Sequence, residues 1–373
     1  MTRIPYGRQH ITEEDIQAVS EVLRSDFLTQ GPTVAAFEEA FAAYVGANYA
    51  VACSNGTAAL HLCTIALGVG PGTKVITTPI TFVASANCVK YCGGDVEFAD
   101  IDRETYLLDI NAVRKKLEAA PKGTYSGVIP VDFAGRPVNL PEWRNLADEF
   151  GLWIIEDACH APGGFGPTWR CGDGQFADLA IFSFHPVKHI ACGEGGMVTT
   201  NDPALYEKLR NLRTHGIQQV PEKRIHNHGV WYYEMQELGY NYRLTDMQAA
   251  LGLSQLRRAE DGLRRRVDIA QRYADALPFA PSPVVGHAYH LFVIEHEHRD
   301  ALMLYLREHD IFTQVHYIPA HLMPYYADQG NQPGDFPNAE DYYSRCLSLP
   351  MYPSLTGEQH QFVIDKILSF TPR

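Results

Sequence analysis

Between residues 49 and 184, short apolar runs rich in β-branched residues alternate with segments of helical pattern. The predicted strands are YAVAC, KVITTP, DVEFAD, GVIPVD, LWIIED and DLAIFSF, and the helices between them include GTAALHLCTIALG, FVASANCVKYCGG and LPEWRNLADEFG. Strands that alternate with helices build βαβ units, whose strands run mostly parallel. The alternation therefore predicts an α/β fold with a mixed, mostly parallel sheet between helices.

Two segments outside this alternation are assigned from their own patterns. A first helix is expected at residues 12–26, where one apolar stripe is formed by Ile16, Val19, Val22 and Leu23. The aromatic and basic segment 216–239 has no regular period and is interpreted as a loop or as a contact between two subunits.

The C-terminal part of the chain predicts a connector followed by a second, smaller unit. Its long amphipathic stretch, NYRLTDMQAALGLSQLRRAEDGLRRRVDIAQRYADAL, is expected to bend near Gly252. The strands HLFVIEH and FTQVHY then flank a helix, which is typical of a small α+β unit. We therefore predict a large domain at 1–250, a connecting helix at 251–278 and a small domain at 279–373.

Charge and cysteine content narrow the class of protein. The 31 Lys and Arg residues against 44 Asp and Glu residues give a net charge of −13, which argues against a nucleic-acid binder. No stretch approaches the length of a membrane span, and the N-terminus has no signal-peptide pattern. The eight cysteines are scattered without a paired framework, so we expect reduced thiols, no metal site and a cytoplasmic location.

Polar residues collect where the predicted strands end. They are Ser54, Asn55, Gly56, Thr57, Thr78, Asp132, Glu156, Asp157, Ser183 and, a few residues further, Lys188. Ligands bind at the carboxyl ends of the strands in sheets of this kind, so we expect these residues to surround a site.

Lys188 lies in the stretch FSFHPVKHIACGEGG, directly after a strand that is apolar enough to be buried. A lysine that is withdrawn from water can lose its proton near neutral pH and act as a nucleophile. The alternative for this stretch alone is a lysine on an ordinary glycine-rich loop.

Each other member of the cluster also has a structural alternative. Gly56 and Thr57 stand at a strand-to-helix turn that could bind an anion or merely start a helix. Asp157 could hold a cationic ligand or form an ion pair, and Phe82 could stack on a ring or pack in the core. Together with Ser183 and Lys188, however, they describe a pyridoxal-phosphate pocket.

The ordered motifs LTQGPTV, SNGTAAL, TPITFVASAN, EDACHA, FSFHPVKHIACGEGG, GYNYRLTDMQAALG, QVHYIPAHLMPYY and SLPMYP run nearly end to end. They resemble the DegT/DnrJ/EryC1/StrS family of sugar aminotransferases, which have the fold type I architecture and use pyridoxal phosphate. The resemblance implies a homodimer with shared active sites and a PLP-binding large domain.

Carried over by position, the resemblance assigns a role to each site residue. It makes Lys188 the Schiff-base lysine and Asp157 the partner of the pyridine nitrogen. The predicted cofactor contacts through the phosphate are Gly56, Thr57, Ala58 and Ser183, with Asn241 from the neighbouring subunit. Phe82 and His160 would bracket the ring, and the sugar nucleotide would contact Tyr6, Gln30, His316 and Tyr317. Two departures are Cys192, where relatives usually have threonine, and His160, where glutamine is common.

The resemblance is greatest to the group that acts in pseudaminic acid synthesis, through IPYGRQ, VDFAGRP, SFHPVK and WYYEMQELGYNYRL. It implies transfer of an amino group from glutamate to the C4 ketone of a UDP-linked 2-acetamido-6-deoxy sugar. The loop CGEGG resembles the TGEGG loop of 4-aminotransferases. Perosamine-type and bacillosamine-type 4-keto sugars, a GDP or dTDP carrier, and amination at C3 remain alternatives.

The same sequence argues against several other functions. The histidines His290, His296 and His298 could face one side of a strand, but no carboxylate or cysteine pattern accompanies them as a zinc site requires. A nicotinamide oxidoreductase would show G-x-G-x-x-G after its first strand, which SNGTAAL is not. The family's 3-dehydratase branch replaces the lysine by histidine, and a non-catalytic regulator would not need Lys188, Asp157 and Ser183 intact.

Overall fold

The computed structural model describes residues 3–218 and 220–372. Its larger sheet has seven strands: β1 (Tyr49–Cys53), β2 (Lys74–Thr77), β3 (Asp95–Phe98), β4 (Gly127–Ile129), β5 (Trp153–Asp157), β6 (Leu179–Ser183) and β7 (Gly196–Thr200). The helices around it are α1 (Glu13–Leu23), α2 (Pro32–Val45), α3 (Gly56–Ala66), α4 (Ala84–Tyr91), α5 (Ile110–Ala119), α6 (Leu140–Phe150) and α7 (Pro203–Arg213).

The strand order is β1-β7-β6-β5-β4-β2-β3, and β7 alone in this sheet runs antiparallel to its neighbours. The mixed, mostly parallel α/β sheet predicted from the alternation is therefore confirmed. Because six strands point the same way, their last residues meet at one edge, where β1 ends at Cys53, β5 at Asp157 and β6 at Ser183.

Both faces of this sheet are covered, as a parallel sheet requires. One face packs under aromatic side chains from α2 and β6, with Phe41 against Phe182 at 4.9 Å between ring centroids. The other face packs against α3, α4 and α7 through residues such as Leu60, Ile155 and Ile181. This double burial explains why the strands are continuous apolar runs.

Helices α8 (Asp246–Leu256) and α9 (Ala259–Ala276) correspond to the predicted connector, with the break at Arg257 and Arg258. The expected bend near Gly252 is wrong, since α8 continues through that residue. Gly252 is needed for packing, because a Cβ there would lie 2.7 Å from both Cys192 Sγ and Phe37 Cζ. The close fit explains Cys192 as a buried packing residue.

The predicted apolar stripe of α1 is only partly correct. Val22 is buried, but Ile16 and Leu23 are 51% and 57% exposed. The helix is instead attached through the buried Asp15, which accepts a 2.7 Å hydrogen bond from Ser254 Oγ and pairs with Arg258. A polar contact across 239 residues of sequence thus replaces the expected apolar one.

The C-terminal part contains a two-stranded sheet of β10 (Phe292–Glu295) and β11 (Cys346–Leu349), with α10 (Arg299–Glu308), α11 (Pro324–Ala327), α12 (Pro337–Arg345) and α13 (Gly357–Ser369). The strand predicted at FTQVHY is wrong. Within it, Gln314 alone forms an isolated bridge, to Ser348, and the following His316 and Tyr317 line a cavity instead.

Segment 216–239 contains the short pair β8 (Ile217–Gln218) and β9 (Glu234–Met235). It presents large apolar side chains to solvent, among them Ile225, Val230, Trp231, Met235 and Leu238, all more than 60% exposed. None of the helices in the described part of the chain has both the length and the apolar character of a membrane span.

Candidate active site

A cavity of about 780 Å³ lies at the carboxyl edge of the large sheet and gathers most of the predicted site residues. Those that line it are Tyr6, Gly56, Thr57, Ala58, Phe82, Asp157, His160, Ser183, Lys188, His316 and Tyr317. Many of them lie at or just after strand ends that are far apart in sequence, whereas Tyr6, His316 and Tyr317 come from segments outside the large sheet. This grouping supports the prediction that one site forms at this edge.

Lys188 follows β6 on a tight turn, in which its own N–H donates to His185 O at 2.8 Å. The residue is half-buried, and this burial lowers the pKa of its ammonium group. Asp157 and Cys159 act in the opposite direction. Burial thus favours the neutral amine that a nucleophilic lysine requires.

The N-terminus of α3 opens into the same cavity. Asn55 caps the helix by accepting the Ala58 N–H at 2.8 Å, while the first N–H groups, at Gly56 and Thr57, have no carbonyl of the helix to bind. A Cβ at Gly56 would lie 3.0 Å from Ser183 Cβ, so glycine allows helix and strand to approach. The predicted Ala58 contact competes with the cap, whereas the N–H groups of Gly56 and Thr57 are available to an anion.

Asp157 is the last residue of β5 and is 5% exposed. Its Oδ2 accepts a 2.6 Å hydrogen bond from Ser85 Oγ, and its Oδ1 accepts the Cys159 N–H at 3.2 Å. Ser85 in turn lies 2.8 Å from Thr81 Oγ. The carboxylate is therefore held in one orientation and does not form the structural ion pair considered from the sequence.

His160 is buried beside Tyr317. Its Nδ1 accepts the Ala134 N–H at 3.2 Å, so the ring proton is on Nε2, which lies 3.3 Å from the Tyr317 hydroxyl. Burial and the charge of Lys188 place the pKa of His160 well below its usual range. The imidazole is therefore a neutral, oriented group.

The mouth of the cavity is aromatic. Phe82 is 60% exposed there, although a lone aromatic at a strand end is more often part of the core. Tyr6 packs near His316 with 5.1 Å between ring centroids, and His316 Nδ1 lies 2.8 Å from Ser348 Oγ.

Two predicted residues lie outside the cavity. Gln30 and Asn241 are both exposed and belong to adjoining segments, because Thr29 forms a bridge with Thr245. Tyr242, next to Asn241, does line the cavity.

Several cavity residues were missed by the sequence analysis. Ser85 is paired with Asp157 across 72 residues, His61 lies 3.2 Å from the Tyr242 hydroxyl, and His290 packs 4.3 Å from His160 between ring centroids. The sequence offered one indication of Ser85, namely its spacing from Thr81 at a strand-to-helix junction.

A buried cluster lies next to this site, where Asp132, Glu156 and Cys171 place ligand atoms within 4.8 Å of one another. Burial raises the pKa of Asp132 to about 7 and that of Glu156 well above its usual range. Asp132 Oδ2 and Glu156 Oε1 have no other partner in the described part of the chain, which fits two carboxyl groups that share a proton.

The three histidines that were considered as zinc ligands lie in different places. His290 lines the cavity, whereas His296 and His298 follow the end of β10.

The cavity fits pyridoxal phosphate. The helix N-terminus offers N–H groups to the phosphate, Asp157 offers a carboxylate to the pyridine nitrogen, and Lys188 offers an amine of lowered pKa.

Comparisons with known proteins agree with this geometry. Residues 9–368 match the model of the DegT/DnrJ/EryC1/StrS aminotransferase family. The chain is 42% identical to the spore coat polysaccharide biosynthesis protein SpsC of Bacillus subtilis, over 98% of this chain and 96% of that protein.

Solved structures show the same similarity. Helicobacter pylori PseC, an aminotransferase involved in the biosynthesis of pseudoaminic acid, matches with a TM-score of 0.89 and 30% identity over 98% of both chains. The PLP-form of the putative sugar aminotransferase Spr1654 from Streptococcus pneumoniae matches with a TM-score of 0.88 and 27% identity, over 98% of this chain and 97% of that one. The chain therefore belongs to the DegT/DnrJ/EryC1/StrS family and is a sugar aminotransferase that uses pyridoxal phosphate.

Proposed function

We propose that this aminotransferase moves an amino group from glutamate to the C4 ketone of a UDP-linked 2-acetamido-6-deoxy-4-keto-hexose. The observation that carries the transamination is the meeting of Lys188, Asp157 and the N-terminus of α3 in one cavity. The similarity to PseC and SpsC supports a sugar of this kind.

In this proposal Lys188 is the residue that holds the cofactor and does the proton transfer. Pyridoxal phosphate, when bound, supplies an electron sink for the carbon that loses its proton. The amine of Lys188 would accept that proton at Nζ and later give it back, so one residue would serve as anchor and base. Its pKa, lowered by burial, suits both roles.

The remaining cavity residues orient the two reactants. Gly56, Thr57 and Ser183 hold the phosphate, with Ala58 contributing through the helix turn that Asn55 caps. Phe82, which is exposed in the cavity, and the buried His160 would bracket the ring. Tyr6, His316 and Tyr317, which also line the cavity, would contact the sugar nucleotide.

Ser85 is expected to support Asp157. Ser85→Ala removes the donor of the 2.6 Å bond to Oδ2, and a hydrogen bond to a charged group contributes about 1.5–3 kcal/mol. We expect kcat to fall about tenfold with cofactor still bound, because the Cys159 N–H remains as a donor. Steady-state rates and cofactor titration measure both quantities. Ser85→Thr, which keeps a hydroxyl, should restore most of the rate, and equal loss in both variants contradicts the role.

We also propose a homodimer with shared active sites. Asn241 lies outside its own chain's cavity on an exposed surface, which supports its predicted role in the site of a neighbouring copy. Mixing Lys188→Ala and Asn241→Ala chains should regenerate activity, because every mixed dimer then contains one intact site. Each variant alone is the control, and a monomer in solution or no regain on mixing contradicts the arrangement.

The substrate is tested with a panel of nucleotide sugars. The protein, cofactor and glutamate are incubated with 4-keto and 3-keto sugars on UDP, GDP and dTDP, and products are identified by mass spectrometry and NMR. We expect the highest kcat/KM with the UDP-linked 2-acetamido sugar and a new amine at C4. Loss of a few hydrogen bonds discriminates epimers by only about 1–3 kcal/mol, so perosamine-type or bacillosamine-type sugars will show lower but measurable rates. A product aminated at C3 overturns the proposal.

A further inference from the structure

A second cavity, of about 230 Å³, lies behind the loop that carries Lys188. Lys188 lines both cavities, so the lysine loop forms the wall between them. The opposite wall is made by the N-terminal segment at Arg8 and His10 and by the start of α9. The volume is several times the ~30 Å³ that one water molecule occupies in the liquid.

Positive charge dominates this second cavity, although the whole chain has a net charge of −13. Four arginines line it, namely Arg8, Arg258, Arg265 and Arg266, against the single carboxylate of Asp261. Asp261 pairs with Arg264, outside the cavity, and Arg258 pairs with Asp15. In the described part of the chain, Arg8, Arg265 and Arg266 have no carboxylate within ion-pair distance.

Arg266 is the least expected of these groups, because it is 1% exposed and has no counter-ion among the described residues. Its Nη1 donates to the carbonyl oxygens of Tyr289, His290 and Met351 at 3.0–3.3 Å, and its Nε is buried without a partner among the described residues. Burial lowers the pKa of Arg266 to about 10. A buried cation of this kind is costly unless an anion approaches it.

His189 adds a hydrogen-bond acceptor, whereas the arginines are donors. Its Nε2 donates to Ala288 O at 2.8 Å, so Nδ1 carries the lone pair, and Nδ1 is buried with no partner in the described ranges. A hydrogen phosphate group has anionic oxygens for the arginines and one O–H for this nitrogen. A carboxylate lacks that donor.

We infer that this cavity is an anion site, separate from the cofactor site, for a small phosphate-class ligand such as orthophosphate or diphosphate. Arg8 and Arg265 supply the accessible charge, Arg266 the buried charge, and His189 the acceptor. The ligand chemistry could come from the free ion or from the diphosphate of a nucleotide.

Calorimetric titration of the cofactor-loaded protein with inorganic diphosphate tests the site, since bound cofactor already fills the phosphate position at α3. We expect saturable binding that Arg8→Gln and Arg265→Gln each weaken about tenfold or more. The matched control is Arg272→Gln, which removes the same charge from α9 at a residue that does not line the cavity and that bonds Gln361 rather than Asp261. It should bind as the unaltered protein does.

Competition with UDP distinguishes the two sources. If saturating UDP leaves diphosphate binding unchanged, the site takes the free ion. If UDP binds with the same dependence on Arg8 and Arg265, the site takes the diphosphate of a nucleotide. Absence of diphosphate binding, or equal weakening by Arg272→Gln, overturns the inference. Arg8 is exposed and makes no ion pair with any residue that the structure describes, so its variant should fold even if Arg265→Gln, which loses a bond to Leu355 O, does not.

Discussion

Lys188→Ala is expected to abolish transamination and leave the protein folded. General acid–base catalysis alone contributes about 10²–10⁴-fold, and this variant also loses the covalent anchor, so the rate should fall by more than about 10⁴-fold. The fold should survive, because Lys188 lies on a loop and burial already disfavours its charge. Turnover with glutamate and the thermal midpoint measure the two effects.

Lys188→Arg is the matched control for charge. It keeps a cation on the loop but has no amine that can hold the cofactor, so it should be as inactive as the alanine variant. Borohydride reduction of the unaltered protein with bound cofactor should abolish its absorbance band at the edge of the visible range. It should also attach the cofactor covalently to the peptide that contains Lys188. Transamination above trace level in either variant, or attachment elsewhere, contradicts the assignment.

Asp157→Asn is expected to retain cofactor and lose most activity. The carboxylate is oriented by Ser85 and the Cys159 N–H, and its charge keeps the pyridine nitrogen protonated in our proposal. Removal of such an electrostatic partner costs about 2.7–4 kcal/mol of transition-state stabilisation, or on the order of 10²–10³-fold in kcat. Rates of the glutamate half-reaction measure this loss.

The adjacent residue offers the matched control. Glu156→Gln makes the same carboxyl-to-amide change one position earlier on β5, at a group whose pKa is already raised by burial. Because the amide resembles the protonated carboxyl group, activity should change only a few-fold. Near-normal activity in Asp157→Asn, or equal losses in both variants, would make Asp157 a structural residue.

The sequence predicted the large sheet well, because its signals are local. Apolar runs alternating with helices revealed buried parallel strands, and the polar residues that ended them marked the cavity edge. Lys188, Asp157 and Gly56 were found for this reason. Which strands were neighbours, and that β7 runs antiparallel, could not be obtained from the runs themselves.

The errors occurred where a distant contact outweighed a local pattern. Residues 312–317 have strand character, but Gln314 forms only an isolated bridge to β11, and His316 and Tyr317 line the cavity. A bend was expected at Gly252, yet α8 continues through it, and glycine is present there because a Cβ would clash with Phe37 and Cys192. Asp15 is buried because Ser254 donates a hydrogen bond to its carboxylate and Arg258 forms an ion pair with it.

The sequence by itself determined the class of fold, the position of the reactive lysine and the residue types around it. These features can be recognised because hydrophobic periodicity and strand ends each involve only a few neighbouring residues. The tertiary structure alone decided which groups meet. Ser85 reaches Asp157 across 72 residues, and Arg8 meets Arg266 around a cavity behind the lysine loop. Hydrogen bonds and charge pairs act over a few ångströms, so they depend on how the chain packs and leave no pattern along it.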